Sequence, residues 1–267
     1  MDIPVFQEKK ALFSWLSKNK ELLIAEKKHA KKFSDELPVY VSNPEKKGTA
    51  TKNILTGNND LLVEVIMNTT NVFDSHGDVH LNGLWEKTIK ETKKHFHVQE
   101  HKIRFENIIA DGDDVSVFTK NDTFANLGFQ MEGETQALIF KSIIKSTRNP
   151  FMYSQYIDGY VEGHSVGMVY VKYSLAINDT DYPDEYNEYQ KYYPQIANKS
   201  ELDKVGWFWA IKEARLVEGS AVVMPSNIFT RTQSIQEIEP QQKSTLFEPQ
   251  KSTQKFESIF EIINNKL

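Results

Sequence analysis

Gly163-His164-Ser165-Val166-Gly167-Met168-Val169-Tyr170-Val171-Lys172-Tyr173-Ser174-Leu175-Ala176-Ile177 is the stretch from which the fold is read. Its β-branched and aromatic content predicts a long strand. A serine between two glycines at the mouth of such a strand is an odd choice for packing. Gly163 and Gly167 leave room for another backbone or a substrate to come close. Neighbouring side chains on a strand point to opposite faces, so His164 diverges from Ser165 and cannot easily act as its base. If Ser165 is a nucleophile, its partner comes from elsewhere in the chain.

The chain around this strand has 267 residues, 39% hydrophobic and 12% aromatic, which suffices for one sizeable core with appendages. A net charge of −5 makes no case for sequence-specific nucleic-acid binding. With no cysteine, disulfides, thiol nucleophiles and Cys-ligated zinc are excluded. No apolar run approaches the roughly 20 residues that span a bilayer, and no signal-type apolar block opens the chain. The expectation is a soluble, intracellular protein without membrane contact.

Residues 6–32 read as one amphipathic helix, with Leu12, Phe13, Leu16, Leu22, Leu23 and Ile24 as its apolar stripe and lysines on the other face. The stripe reads as a docking face, and the lysines alternatively as a basic arm for a partner. Residues 33–52, with Pro38, Pro44 and Gly48, read as a linker, so 1–52 forms a helix-and-linker unit. The core begins with a strand at 61–67. A polar loop, 74–80, leads to a helix from about Asn82, followed by a short strand 97–101 with His97, Gln99 and His101 on one face. Strands are expected at 103–109 and 115–118. A helix is expected over 135–146, where Leu138, Ile139, Ile143 and Ile144 fall at helical spacing. Residues 177–205, rich in Tyr, Asp and Glu, read as a surface insertion, and the core resumes through Trp207 to Met224. The reading is α+β, mostly β: a closed barrel or sandwich with peripheral helices over 53–232. Residues 233–267 read as a polar, disordered tail with a short terminal helix at 256–263.

Two residues make a chemical set with Ser165. On the strand 214–224, alternation puts Leu216, Glu218, Ser220 and Val222 on one face. A charged carboxylate among apolar neighbours requires a partner. A histidine suits it, because a carboxylate fixes the imidazole tautomer and stabilises the imidazolium. His101 is the candidate, with His97 as an alternative on the same face. A serine hydroxyl is a poor nucleophile without such a base. A separate set, Asp74, His76, Asp78 and His80, offers hard-metal or zinc ligands if the segment is extended, although Gly77 argues for a turn.

The order of elements resembles the prohead maturation proteases of tailed phages, serine peptidases distantly similar in fold to herpesvirus assemblin. Local motifs within 60–230 carry the likeness. Asp74-Ser-His-Gly-Asp-Val-His-Leu-Asn-Gly83 is similar to the family's Asp-x-x-Gly-Asp-Val. His97-Val-Gln-Glu-His101 sits where the family has its histidine. Gly163-His-Ser-Val-Gly-Met168 resembles its Ser-Ile-Gly-Phe nucleophile strand. Leu216-Val-Glu-Gly-Ser-Ala-Val-Val-Met-Pro-Ser-Asn227 matches Leu-x-Glu-Val-Ser-Leu-Val-x-x-Pro-Ala-Asn, the most specific of the four. The chain departs from the family at Lys102, where an Asp usually follows the histidine, and at Gly219 and Ser226.

The resemblance implies a serine endopeptidase with Ser165 as nucleophile, His101 as base and Glu218 as the orienting third member, needing no cofactor or metal. The implied substrates are capsid and scaffold proteins, and the enzyme itself, inside the assembling prohead in the host cytoplasm; the fold is compatible with a homodimer. Two readings stand beside it: a non-catalytic capsid scaffold or assembly protein, and a metal-dependent hydrolase using Asp74, His76, Asp78 and His80.

Overall fold

A computed structural model describes residues 3–29, 51–52 and 59–238. The linker expected at 33–52 lies outside these residues except for its last two, and so does the terminal helix expected at 256–263. The strands are β1 (Thr51–Lys52), β2 (Asp60–Thr69), β3 (Asp78–His80), β4 (Phe96–Gln99), β5 (Ile108–Asp111), β6 (Val115–Thr123), β7 (Glu134–Ile144), β8 (His164–Ile177), β9 (Trp207–Ala221) and β10 (Arg231–Ile238). The helices are α1 (Lys9–Lys18), α2 (Lys20–His29), α3 (Glu86–Glu91), α4 (Pro150–Asp158), α5 (Pro183–Tyr192) and α6 (Lys199–Val205). The α+β, mostly-β class holds.

One sheet runs β1-β10-β2-β7-β6, and the other contains β3, β9, β4 and β5 with β8 on the far edge of β9. Strand β9 organises the second sheet. Antiparallel β8 lies along nearly its whole length, while β3 pairs with 209–211 and β4 with 219–221, both parallel. Both edges of β9 are thus consumed within its own sheet, and β9 cannot also pair with the first sheet to complete a ring. Of the closed barrel or sandwich expected, the barrel is not formed: the strands make two open sheets. They share one core, to which β2 contributes Val63, Val65 and Met67, β7 contributes Leu138 and Phe140, and β8 and β9 contribute Val166, Met168, Trp209, Ile211 and Leu216. Full burial of each large apolar side chain contributes about 1.5–3 kcal/mol.

Several local expectations are corrected. The segment expected as a helix over 135–146 is β7. Both of its faces are buried, Leu138 and Phe140 in the main core and Ala137 and Ile139 against Phe124 and Phe129, so the two-residue alternation of a half-exposed strand is missing. Asn149-Pro150 starts a helix instead of ending one. The Asn149 Oδ1 accepts the Met152 N–H at 3.1 Å, and α4 then intervenes before β8. The strand expected at 103–109 is a turn of 3-10 helix at 105–107 followed by β5. The helix expected from Asn82 is only α3, beginning at Glu86.

The N-terminal helix is broken in two at Asn19, whose side chain donates to the Trp15 carbonyl at 2.8 Å and closes α1. Its apolar stripe does dock: Phe13, Leu16 and Leu23 are buried in the main core. Residues 177–205, expected as a surface insertion, contain α5 and α6. Helices α5 and α6 and their connection bury Tyr189, Leu202 and Ile196 with Phe73, Val79 and Phe208 in a second core. Of the tail expected at 233–267, residues 233–238 belong to β10, which runs antiparallel to β2 and buries Ile235 and Ile238, and the rest lies outside the described residues. The polar residues of β10 belong to a half-exposed strand and mimic the composition of a tail. Among the described residues no helix is long and apolar enough to cross a membrane.

Candidate active site

His101 and Glu218 are joined, and Ser165 lies on the same strand pair, at the end of the second sheet where β8 begins and β9 ends. In the β8–β9 pair, Ser165 lies directly opposite Ser220, and Gly167 opposite Glu218. Opposed residues of an antiparallel pair share a face, with Cβ atoms roughly 4.5–5.5 Å apart. Ser165, Ser220 and Glu218 therefore occupy one face. His164 is turned the other way, as its position on the strand predicts. Its Nε2 is 3.0 Å from the Thr232 hydroxyl, and its ring stacks on Tyr156.

His101 reaches this face by a route that strand alternation does not foresee. Strand β4 stops at Gln99, and Glu100 and His101 both take left-handed backbone conformations, with φ of 51° and 55°. Two successive non-glycine residues in this region cost of order 1–3 kcal/mol each, and such outliers gather at functional sites. They persist here because the end of β9 holds them. The Glu100 N–H donates to the Ala221 carbonyl at 3.0 Å, and the His101 N–H donates to Ser220 Oγ at 3.1 Å. The Val223 N–H donates to Glu100 Oε1 at 3.2 Å.

The side chains are then tightly tied. His101 Nδ1 and Glu218 Oε1 are 2.7 Å apart, and the Ser220 hydroxyl donates to Glu218 Oε2 at 2.6 Å. A carboxylate only accepts, so Nδ1 carries the proton and the neutral ring has its lone pair on Nε2. The Glu218 side chain is fully buried and that of His101 nearly so, which shields the pair from water.

Each glycine flanking Ser165 leaves room for a particular neighbour. A Cβ on Gly163 would come 2.6 Å from the Val222 carbonyl oxygen, and one on Gly167 would come 2.2 Å from Glu218 Oε1. Glu218 lies across the bare backbone of β8. Gly167→Ala should therefore dislodge the carboxylate, which His101 and Ser220 hold from yielding. Activity is expected to fall at least about 100-fold, with a stability loss of about 1–3 kcal/mol from overpacking; steady-state kinetics and thermal melts check both.

His97 is not brought to this face. It is fully buried, with Nδ1 3.1 Å from Ser142 Oγ and Nε2 3.1 Å from the Tyr156 hydroxyl. Burial pushes its pKa down to about 3, so it stays neutral. The unfolded chain binds this proton near pH 6.5 and the folded one only near 3. The contribution to stability is full above about pH 6.5 and is lost as pH falls, at about 1.4 kcal/mol per unit. His97→Gln should shrink the drop in melting temperature between pH 7 and pH 5; an unchanged drop would place the acid sensitivity elsewhere.

Of the four residues weighed as metal ligands, Asp74, Asp78 and His80 gather, with ligand atoms within 4.8 Å of one another, and His76 is not among them. The cation in this cluster is Lys27 of α2. Its Nζ lies 2.5 Å from Asp78 Oδ1 and over the rings of Tyr170 and Trp209, at 4.7 and 5.4 Å. Tyr170 donates to the other Asp78 oxygen. The Asp74 carboxylate meanwhile accepts the N–H groups of His76 and Asp78, closing the turn at Gly77. This cluster pins the N-terminal helices to β3. Asp78 pairs with Trp209, nine residues up β9 from Glu218, or roughly 30 Å away at strand spacing.

The close approach expected at Gly167 is made by Glu218, whereas the sequence assigns Ser220 and Lys27 no part in these arrangements. Of these two, Ser220 carries a usable signal, the i, i+2 spacing that puts it beside Glu218. Comparison of the chain with known protein families, curated proteins and solved structures returns no match.

Proposed function

We propose that this chain is a serine endopeptidase working by Ser-His-Glu acyl transfer, and that its substrates are the capsid and scaffold proteins of a tailed-phage prohead. The observation that carries the reading is the 2.7 Å contact between Glu218 Oε1 and His101 Nδ1, made beside a serine that β8 places on the same face. A carboxylate holding a histidine with its lone pair on Nε2 is the arrangement that activates a hydroxyl.

In this mechanism Ser165 Oγ attacks the scissile carbonyl carbon while His101 Nε2 takes its proton. Glu218 stabilises the imidazolium that forms. As the tetrahedral intermediate collapses, the C–N bond breaks and His101 passes the proton to the leaving amine. Water, deprotonated by the same nitrogen, then releases the acyl group and regenerates the serine. Backbone amides hold the oxyanion. In the loop after β9, the Val223 amide is already engaged by Glu100, and Pro225 has none, which leaves Met224 and Ser226 as the candidate donors there. Phe105, Val223 and Met224 are exposed on the segments that carry His101 and Ser220, and would meet apolar side chains of an extended substrate.

The test is an intact-mass comparison of wild type and Ser165→Ala, each incubated alone and with cognate capsid and scaffold proteins. Discrete fragments from the wild type only are expected. Equal cutting by both proteins, abolished by a chelator, would favour the metal-dependent reading, and no cutting by either would favour a scaffold role.

A further inference from the structure

Two serines face each other across the β8–β9 pair, and their surroundings differ. Ser220 is fully buried, and its hydroxyl is committed twice: it donates to Glu218 Oε2 at 2.6 Å and accepts the His101 N–H at 3.1 Å. Through these two bonds Ser220 touches both members of the Glu218–His101 pair. We infer that Ser220 is a positioning residue which locks the acid to the base, and that Ser165 alone is available as the nucleophile. The inference rests on the proposed serine-peptidase reading for its kinetic consequences, although not for its geometry.

Glu218 has two carboxylate oxygens and one histidine to hold. Without a donor on Oε2 the carboxylate could rotate about its terminal torsion, which is broad and weakly restrained. The Ser220 hydroxyl fixes that torsion, so that Oε1 stays on Nδ1. His101 in turn sits in a left-handed conformation that a non-glycine residue does not hold by itself. The same hydroxyl accepts its backbone N–H and so holds the main chain as well as the acid. One oxygen atom thereby sets the positions of both partners, and its proton is spent on Glu218. A hydroxyl whose proton is committed to Glu218 does not offer it to His101 Nε2, as the nucleophile of this site must.

Ser220→Ala removes the donor to the carboxylate and the acceptor for the His101 amide while leaving Ser165 and both partners in the chain. The expected result is a fall in kcat of about 10–100-fold with KM changed by less than about twofold. The unprotonated Glu218–His101 pair carries the unneutralised charge that Ser220 stabilises. Its loss should therefore move the acid limb of the kcat/KM profile to higher pH. A merely structural serine would lower the active fraction without moving that limb. Ser220→Thr, which keeps the hydroxyl, should return the limb to its wild-type position. Normalising rates to the fraction labelled by a fluorophosphonate separates misfolding from mispositioning.

A second readout needs no substrate. In wild type the His101 Nδ1–H should give a far-downfield proton resonance by NMR, and in Ser220→Ala this resonance should shift upfield or vanish into solvent exchange. His101 resonances unchanged in Ser220→Ala would overturn the inference, whether or not the protein cleaves peptides. So would a fluorophosphonate adduct on Ser220, or a wild-type kcat and acid limb in Ser220→Ala. Cleavage that persists in Ser165→Ala would instead overturn the serine-peptidase reading, and the NMR comparison would still decide the part played by Ser220.

Discussion

Ser165→Ala is expected to lower turnover by about 10⁴–10⁶-fold, leaving the fold and substrate binding intact. The magnitude follows from the position of the hydroxyl at the head of the relay: without it, His101 and Glu218 have no nucleophile to serve, and only binding and oxyanion stabilisation remain. Ser165 is almost fully buried and lies opposite Ser220 on a face shared with Glu218. Loss of one hydroxyl there should change stability by no more than about 1–2 kcal/mol. The check is kcat and KM for a peptide spanning a mapped cleavage site, together with a thermal melt. A mutant that melts like wild type but does not turn over would separate chemistry from folding.

Glu218→Gln is expected to cost about 10³–10⁴-fold in kcat with a near-native melting temperature. The amide is nearly isosteric with the carboxylate, so the packing against Gly167 survives. Its hydrogen-bond pattern does not. If the amide oxygen keeps the Ser220 hydroxyl, the NH₂ group faces His101 Nδ1 and forces that nitrogen to accept. The ring proton then moves to Nε2, the nitrogen that should take the proton of Ser165. The wrong tautomer and a lost counter-charge act together. Nitrogen-15 shifts of the His101 ring, recorded with the kinetics, would reveal the tautomer directly. A mutant with normal turnover would remove Glu218 from the mechanism.

The parts of the site that are legible in the sequence are those on long regular strands. Glu218 and Ser220 fall on one face because β9 keeps its alternation there, and His164 turns away from Ser165 for the same reason on β8. His101 is legible only as a residue in the right neighbourhood. The pair of left-handed residues at Glu100 and His101 ends the alternation that would have grouped His101 with His97 and Gln99. That break separates the two histidines, sending His97 into the core and His101 to Glu218.

In the fold, β7 is hidden because burial on both faces erases its period. Strand β10 is hidden for the opposite reason, with Gln, Ser and Glu on its outward side and only Ile235 and Ile238 to mark the core. The segment 74–80 is legible as a ligand set, and three of its four residues, Asp74, Asp78 and His80, do gather. Its cation comes from Lys27, some fifty residues upstream, and no local pattern announces that partner.

The most direct test of the account is covalent: wild-type protein treated with a fluorophosphonate, digested, and mapped by mass spectrometry, with Ser165→Ala and Glu218→Gln treated in parallel. The account predicts a single adduct on Ser165, absent from Ser165→Ala and formed much more slowly in Glu218→Gln. An adduct that persists in Ser165→Ala, or a wild-type protein that cleaves its substrates while Ser165 remains unlabelled, would contradict it.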